Sequence, residues 1–486
     1  MKKILFSVTL VIVVLIATLV IRTLIWLPRI SSGPLSPVSI EVDAQQVARR
    51  LSRAIQIPTI SHQTRERFDR QAFLDFQAFL RRSYPYVHGM LSREVISDYS
   101  LLYTWKGKDT GKKAILLMAH VDVVPPGANS DWTYPPFEGR IAEGYIWGRG
   151  AIDDKGAVIS ILEAVEMLLR DGFQPRRTIY IAFGHDEEIG GYSGALKINF
   201  LLRARDVRVS YVLDEGLVIT DGVLPVVSVP VALIGIGEKG NMSLELSATG
   251  EGGHSSMPPK NTAVGILSRA VARLEEHQLP AKLDGPVRNM FDYLVPEMSF
   301  AQRLVFANLW LFGPLVKKQL AASRATNAMI RTTAAVTMFQ GGDKENVLPV
   351  HARAIVNFRL LPGDSIDSVV GHVRKIIDDP QVQIRRMQSF SEPPPISDID
   401  SPGYESIQQT IRQVFPGVVI APSLLIGATD SKHYVELSEN VYRFRPIWIR
   451  PEDLSRYHGA DERVSVENLE KSVQFYYQLI KNSEAQ

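Results

Sequence analysis

Apolar residues follow two spacings along most of this chain. Runs of strand length, such as Lys113–Ala119 and Thr178–Gly184, alternate with segments that have the apolar period of a helix, such as Ala157–Arg170. Strands that alternate with helices are typical of right-handed β-α-β crossovers and a parallel sheet. The pattern therefore predicts an α/β protein whose mostly parallel sheet has helices on both faces.

The pattern changes between residues 235 and 390. The segments there follow a β-α-β-β-α-β order, which is typical of a small ferredoxin-like layer. An insertion, about Leu279–Ile330, separates the first helix from the second strand, and its apolar segment Leu304–Leu315 predicts an amphipathic packing helix. After Pro393-Pro394-Pro395 the first pattern resumes. We therefore expect the small domain to be inserted into the large one.

The chain begins with an apolar segment outside both domains. Met1-Lys2-Lys3 precedes Ile4–Ile21, which carries no charge and approaches the ~20 residues needed to cross a bilayer. A cleaved signal peptide is the alternative, although no convincing Ala-x-Ala-like exit follows. The two lysines favour a cytoplasmic N-terminus. We therefore predict a single-pass membrane protein with an extracytoplasmic catalytic domain.

Length, charge and composition restrict the possible domain organisation, partners and chemistry. A chain of 486 residues is too long for one ordinary core. The net charge of +2 gives no argument for a nucleic-acid partner, and the absence of cysteine excludes disulfides, thiolate nucleophiles and Cys-ligated zinc. The predicted division is a membrane anchor at 1–30, a linker at 31–40, a catalytic domain at 41–234 and 391–486, and an inserted domain at 235–390.

Imidazole and carboxylate side chains follow successive predicted strands. In open α/β sheets, ligands bind at the carboxyl ends of the strands. Two imidazoles with several carboxylates and no sulfur suit zinc, or a comparable ion such as cobalt or manganese. A carboxylate shared by two ions is common in paired-metal hydrolases. The candidate positions are His120, Asp153, Glu187, Glu188, Asp214 and His458.

Each of these residues also has a simpler interpretation. A lone histidine after a strand is more often a hydrogen-bonded loop residue than a ligand. Paired acids such as Glu187-Glu188 are usually solvated surface charge. Asp153-Asp154 could cap the following helix. Because the pattern recurs at four successive strand ends, we favour a metal site.

The motifs around these positions carry a family resemblance from about Val42 to the last helix. They resemble the M20 family of co-catalytic zinc metallopeptidases, and most of all its branch of carboxypeptidase S and N-acyl-amino-acid synthase/hydrolase. The motifs are His120-x-Asp122, Gly148-Arg149-Gly150-x-x-Asp153-Asp154-Lys155-Gly156, Asp186-Glu187-Glu188-x-Gly190-Gly191, Leu213-Asp214-Glu215-Gly216, Gly253-His254-Ser255-Ser256-Met257-Pro258, Asn346-Val347-Leu348-Pro349, Gly427-Ala428-Thr429-Asp430-Ser431 and His458-Gly459-x-Asp461-Glu462.

The resemblance implies two zinc ions per chain. His120, Asp153 and Asp214 would bind one or the other zinc, with Asp153 bridging both. Glu188 and His458 would complete the set. His433 competes for the last position, but it follows the motif that matches a substrate loop, so we favour His458. The family likeness also implies a cis peptide bond between Asp153 and Asp154.

Two acids are assigned to the chemistry. Asp122, two residues beyond His120 in an extended chain, faces the same way and can hold its imidazole. Glu187 points differently from Glu188 and is the expected general base, which takes a proton from the attacking water.

The inserted domain is implied to act as a lid and dimerisation domain. By the same likeness, His254 from the partner subunit of a homodimer would stabilise the oxyanion of the tetrahedral intermediate. Asn346, Arg359 and the substrate-loop residue Thr429 would bind substrate. A guanidinium matches a carboxylate bidentately, so Arg359 is the candidate for a free α-carboxylate, although a surface salt bridge is equally consistent with it. Lys239 is a weaker candidate for the same anion.

The leading hypothesis is a membrane-anchored dizinc hydrolase of amide bonds next to a free carboxylate. Its substrate would be a small peptide such as Gly-Xaa or an N-acyl amino acid. An aminoacylase or deacetylase of another small metabolite is the first alternative. A catalytically silent extracytoplasmic binding protein is the second, and the intact Glu187 and full ligand set argue against it.

Overall fold

The structure, a computed structural model, describes residues 2–25, 35–224 and 226–485. The end of the predicted anchor and the first part of the predicted linker lie outside these residues. The helices are α1 (Lys2–Leu24), α2 (Ala44–Ile55), α3 (Arg70–Ser83), α4 (Pro85–Met90), α5 (Lys155–Arg170), α6 (Ala195–Ala204), α7 (Ala263–Glu276), α8 (Gly285–Leu294), α9 (Phe300–Ala307), α10 (Leu309–Leu320), α11 (Arg324–Ile330), α12 (Ile366–Ile377), α13 (Pro402–Val414) and α14 (Val466–Asn482).

The strands alternate with these helices over much of the chain. They are β1 (Ser92–Ile96), β2 (Ser100–Trp105), β3 (Ala114–His120), β4 (Arg140–Ala142), β5 (Tyr145–Trp147), β6 (Ile179–Gly184), β7 (Val209–Thr220), β8 (Val231–Glu238), β9 (Gly240–Thr249), β10 (Gly253–His254), β11 (Thr333–Gln340), β12 (Val347–Leu348), β13 (His351–Leu360), β14 (Val382–Ser391), β15 (Val419–Leu425), β16 (Val441–Ile449) and β17 (Arg463–Ser465).

The large sheet has eight strands in the order β1-β2-β6-β3-β7-β16-β8-β15. Its centre, β6-β3-β7-β16, is parallel, as is the pair β8-β15. Strands β1 and β2 are antiparallel to their neighbours, and β16 meets β8 in the antiparallel direction. The prediction of a mostly parallel sheet therefore holds for the centre, while the sheet as a whole is mixed.

Both faces of this sheet are covered by helices. Side chains alternate between the faces of a strand, so Ile115 and Leu117 of β3 join a core with α5 and α14, while Leu116 and Met118 join the opposite core with α6. This double covering explains why the β3 sequence is a continuous apolar run. It also leaves only the strand ends and loops free to carry polar chemistry.

The second sheet has four antiparallel strands in the order β11-β13-β9-β14. Its core side chains pack against α7 and α12, and the chain order β9-α7-β11-β13-α12-β14 is the predicted β-α-β-β-α-β order. Strand β8 precedes this unit and belongs to the large sheet, although it runs past position 234, where the boundary was predicted. Helices α8–α11 form the insertion.

Helix α1 is the one helix in the described residues that is long and apolar enough to cross a membrane, judged by length and composition. At a rise of ~1.5 Å per residue its 23 residues extend ~35 Å, which suffices for a bilayer core of ~30 Å. Nearly all its side chains are exposed. A signal sequence near an N-terminus would meet the same criteria.

Candidate metal centre

Asp153 lies at the middle of the predicted site and contacts both histidines. Its Oδ1 is 2.8 Å from Nε2 of His120, and its Oδ2 is 3.1 Å from Nε2 of His458. His120 ends β3, whereas Asp153 precedes α5 and His458 lies 305 residues further along the chain. The fold therefore brings one carboxylate between two imidazoles from distant segments.

Two further carboxylates flank this arrangement. Glu188 Oε2 is 3.3 Å from Nε2 of His458, and Glu215 Oε1 is 3.2 Å from Nε2 of His120. In the described residues, two groups have ligand atoms close enough to hold an ion: His120, Asp153 and Glu188, and His120, Asp154 and Glu215. The two groups share His120 and together form one candidate metal site.

The donor set has the chemistry that a divalent metal ion needs. Imidazole nitrogen and carboxylate oxygen without sulfur suit zinc and similar divalent ions. Glu188 Oε1 is buried and has no hydrogen-bond partner among the described residues. A buried carboxylate oxygen is costly without a partner. The set therefore fits divalent metal ions.

The peptide bond between Asp153 and Asp154 is cis, as expected from the resemblance. Asp154 forms a buried ion pair with Arg445 of β16. Burial raises the pKa of Asp154 to about 7, against the opposing effect of Arg445. Burial also disfavours the ionised form of Asp153, but hydrogen bonds with His120 and His458 outweigh it and hold the pKa of Asp153 below its usual range.

Asp122 joins the histidine to the acidic turn. Its Oδ1 is 3.3 Å from Nδ1 of His120, and its two oxygens accept hydrogen bonds from the backbone N–H groups of Glu187 and Glu188 at 3.2 and 3.1 Å. Ser61 donates a further hydrogen bond to this fully buried carboxylate. Asp122 therefore fixes the orientation of His120 and the position of the acidic pair together.

Glu187 differs from its neighbour in having no hydrogen-bond partner for its carboxylate among the described residues. Burial raises the pKa of Glu187 well above its usual range, with His120 opposing and Asp430, Glu215 and Glu188 adding to the rise. A carboxylate with a raised pKa near the metal ligands suits a group that accepts a proton during a reaction.

The sequence placed Asp214 among the ligands, but its described hydrogen bonds go to backbone N–H groups and to neither histidine. Asp214 and its neighbour Glu215 both lie inside β7, which continues to Thr220. Asp214 Oδ2 accepts a hydrogen bond from the Ser431 N–H at 2.9 Å, and its Oδ1 accepts one from the Glu215 N–H at 3.0 Å. It is Glu215 that faces His120. The sequence reasoning missed Glu215.

The two competing histidines occupy different places. His433 Nε2 lies 2.8 Å from the Gly190 carbonyl oxygen, and burial is the main cause that lowers its pKa to about 4. His458 Nε2 instead contacts Asp153 and Glu188, and these hydrogen bonds raise its pKa to about 10. The geometry therefore favours His458 as the ligand.

The remaining predicted substrate residues are not gathered at the metal centre by any described contact. His254 of β10 pairs with Val347 of β12, next to Asn346, so both lie on an exposed two-stranded ribbon of the inserted domain. Arg359 is half-buried in β13. Thr429 is buried and holds its own loop through Ser431 and Glu238.

The Lys239 side chain also forms its hydrogen bonds away from the metal centre. Its Nζ lies 2.8 Å from the carbonyl oxygens of both Ala328 and Arg331, at the end of α11. Burial is the main cause that lowers its pKa to about 8. This contact argues against a role for Lys239 in binding a substrate carboxylate.

Comparison with known proteins agrees with this fold. Residues 116–482 match the model of peptidase family M20/M25/M40. A probable carboxypeptidase S-like protein (type 2) of Dictyostelium discoideum is 45% identical over 90% of this chain and 85% of its own length. The N-fatty-acyl-amino acid synthase/hydrolase PM20D1 of Homo sapiens is 41% identical over 89% of this chain and 87% of its own.

Among solved structures, an M20 family metallo-carboxypeptidase from Sulfolobus solfataricus, Sso-CP2, has the same fold. It aligns with a TM-score of 0.64 over 92% of this chain and all of the other, at 17% identity. The chain thus belongs to peptidase family M20/M25/M40 and is a hydrolytic enzyme. Its similar proteins carry the names of carboxypeptidases and N-acyl-amino-acid hydrolases, as the motifs predicted.

Proposed function

We propose that this protein is a two-metal hydrolase that cleaves the amide bond next to a free carboxylate. The observation that carries the proposal is the placement of Asp153 between His120 and His458, with one oxygen directed at each. Two metal ions held there, zinc by preference and cobalt or manganese as substitutes, would polarise the scissile carbonyl and activate water. The proposed ligands are His120, Asp153, Glu188, Glu215 and His458.

Glu187 is the proposed general base. Its carboxylate is free of hydrogen bonds among the described residues, and its backbone is held by Asp122. In hydrolysis it would accept a proton from the attacking water and deliver it to the departing amine, the usual cycle of a general base. Asp122 positions His120 and the acidic turn without taking part in proton transfer itself.

The substrate proposed is a small peptide such as Gly-Xaa or an N-acyl amino acid. The names of the relatives support both classes, because one is called carboxypeptidase S-like and another N-fatty-acyl-amino acid synthase/hydrolase. Arg359, on the inserted domain, is the proposed partner of the free carboxylate, and Asn346 and Thr429 would hold the rest of the substrate. An aminoacylase or deacetylase of another small metabolite uses the same site chemistry.

The inserted domain, residues 235–390, is proposed to be a lid and a dimerisation surface. His254 is exposed within a single chain, and in a homodimer it would reach the partner's site and donate a hydrogen bond to the oxyanion. The absence of a described contact between His254 and the metal centre of its own chain is consistent with this role.

For localisation we propose a single membrane span by α1, with a cytoplasmic N-terminus and an extracytoplasmic catalytic domain. The length of α1 and its exposed apolar surface support this position. A cleaved signal peptide would give the same compartment without the anchor.

The test compares Glu187→Gln with Glu188→Gln on a panel of dipeptides and N-acyl amino acids. The parent should cleave substrates with a free carboxylate and fail on the corresponding amides. Glu187→Gln should retain its zinc but lose turnover by ~10²–10⁴-fold, as for a missing general base. Glu188→Gln should instead lose zinc. Near-parental turnover of Glu187→Gln, or loss of its metal, would refute the mechanism.

A further inference from the structure

The insertion has one side fixed to the catalytic domain. Buried side chains of α8–α10, such as Met290, Phe306 and Val316, share a core with β8 and β15 of the large sheet. The rings of Phe291 in α8 and Phe306 in α9 lie 4.5 Å apart. The insertion therefore moves with the large sheet as one packed unit.

A second side of the insertion contacts helix α1. Asn308, between α9 and α10, is fully buried, and its Nδ2 lies 3.2 Å from the Leu19 carbonyl oxygen and 3.4 Å from Thr23 Oγ1. Leu19 and Thr23 are the buried residues of α1. Leu19 is five residues before the helix end at Leu24, about 8 Å at the helical rise of ~1.5 Å per residue.

This contact fixes the depth of the insertion. If α1 spans the bilayer with its N-terminus inside, its last turns lie at the outer boundary of the lipid. The turn around Asn308 must then lie at the same boundary, because it touches these turns directly. Helix α10 starts at the next residue, Leu309.

The exposed face of α10 has the composition of an interfacial helix. Trp310, Leu311 and Leu315 expose 57%, 40% and 61% of their surface, and positions 310, 311, 314 and 315 share one face because they lie one turn apart. Tryptophan is enriched at the lipid headgroups. Lys317 and Lys318 follow in the next turn, where their long side chains can reach phosphates while their stems cover apolar surface.

The charge of the part of the insertion that contains α9–α11 also indicates a lipid surface. Between Met298 and Ile330 the sequence has no acidic residue and four basic ones, which are Arg303, Lys317, Lys318 and Arg324. Basic residues beside an apolar helix face are typical of helices that lie in the plane of a membrane surface.

We propose that the exposed face of α10 lies in the outer lipid interface of the bilayer that α1 spans. This inference rests on the membrane position proposed for α1. The insertion would then be a second membrane contact, and its packing on β8 and β15 would hold the catalytic domain in one orientation over the lipid surface. A bilayer fits better than a second copy of the chain, because α1 brings lipid to this face and the basic side chains match anionic headgroups.

The experiment uses the natural lack of cysteine. Leu315→Cys in the full-length chain gives a single thiol for a polarity-sensitive fluorophore. The labelled protein is placed in lipid nanodiscs at one copy per disc, and mass spectrometry verifies that its N-terminus is intact. Lipids that carry a nitroxide on the upper acyl chain then serve as quenchers of the fluorescence. An interfacial helix is buried ~5–10 Å, so quenching should exceed that of the control by at least about threefold.

The control is Leu74→Cys, at a comparably exposed leucine of α3, which packs on α2 and α4. Leu311→Cys replaces the first variant if Leu315→Cys does not fold. Equal quenching at the α10 and α3 positions, or a label in water on α10, would overturn the proposal. Two other results would also overturn it. The first is a label that is shielded from water but is not quenched by lipid, and the second is a label that is shielded only when each disc holds two copies. Either result would mean that protein covers this face.

Failure of the anchor is distinguishable from failure of this proposal. A purified chain that begins near Ser31 would remove α1 and the membrane position with it. An intact α1 with an unquenched α10 label would leave the anchor standing and refute only the second contact. Neither outcome depends on the hydrolytic activity.

Discussion

Glu462 holds the loop that carries Asp153. Glu462 Oε1 accepts a hydrogen bond from the Asp153 N–H at 3.0 Å, and it also accepts the N–H groups of Gly150 and Ile152. Its Oε2 pairs with Arg149 at 2.6 Å, and Arg149 in turn donates to the carbonyl oxygen of His458 at 3.1 Å. One buried carboxylate thus sets the distance between the central aspartate and the second histidine.

Glu462→Gln should therefore weaken both the fold and the metal site. Breaking a buried ion pair by changing one partner costs ~3–5 kcal/mol in the free energy of unfolding. Loss of a residue that orients metal ligands lowers metal affinity by ~10–100-fold. Chemical denaturation and zinc titration measure the two effects.

Glu436→Gln is the matched control for Glu462→Gln. Glu436 forms an exposed pair with Arg203, so its loss should change the free energy of unfolding by no more than ~1 kcal/mol. A zinc affinity of Glu462→Gln within twofold of the parent, at unchanged stability, would contradict the role of this carboxylate.

The choice between Asp214 and Glu215 gives the second prediction. Glu215→Gln should lose at least one zinc ion per chain, because Glu215 faces His120. Asp214→Asn should keep its zinc, since the amide oxygen can still accept the hydrogen bond of Ser431. Elemental analysis of both purified variants measures the metal content. The opposite order would restore Asp214 as the ligand.

The two histidines give the third prediction. His458→Ala should reduce zinc content and activity together, because His458 contacts Asp153 and Glu188. His433→Ala removes a contact with the Gly190 carbonyl oxygen and should leave zinc content near the parental value. Equal zinc loss in both variants would show that the acidic turn near Gly190, rather than direct ligation, controls the metal.

Topology is the subject of the fourth prediction. A reporter that is active only outside the cytoplasm, fused after Gln486, should be active, while a tag before Met1 stays protected inside. Protease protection of membrane vesicles measures both ends. An inactive C-terminal reporter would reverse the proposed orientation.

Substrate recognition gives the fifth prediction. Arg359→Lys keeps the charge but loses the bidentate fork, so KM for substrates with a free carboxylate should rise by about tenfold, with a smaller change in kcat. Lys239→Met is the comparison, because Lys239 is tied to α11 and should not affect carboxylate selectivity directly. Steady-state kinetics on acid and amide forms of one substrate decide between them.

Much of the fold could be predicted because local pattern and tertiary structure agree. Helix α5 ends at Arg170 and strand β6 ends at Gly184, as their apolar patterns predicted. Strand β8 was missed, since it precedes the change of pattern and its glycines weaken the strand signal. Short strands such as β4 and β17 form only through pairing with β5, which no local pattern encodes.

The choice between Asp214 and Glu215 could not be made from the sequence, for a physical reason. Neighbouring residues in a strand point to opposite faces, so the Asp-Glu pair offers a carboxylate to each side of the sheet. Which side holds the histidines depends on how β7 pairs with β3 and β16, and that register is a long-range property. That His120, Asp153 and His458 lie close together could be predicted, because their motifs follow strand ends or the loops beyond them at one edge of the sheet.

Asp153 and His458 are far apart in the sequence, and this distance along the chain has a consequence for the synthesis and folding of the protein. The proposed site includes His458 and is held by Glu462, so it cannot be complete until residue 462 has been synthesised. Strands β15 and β16 are likewise synthesised only after the whole inserted domain, and only then can they pair with β8 and β7. Such late, distant pairing slows folding. The proposed site can therefore take up metal only after His458 and Glu462 have emerged from the ribosome.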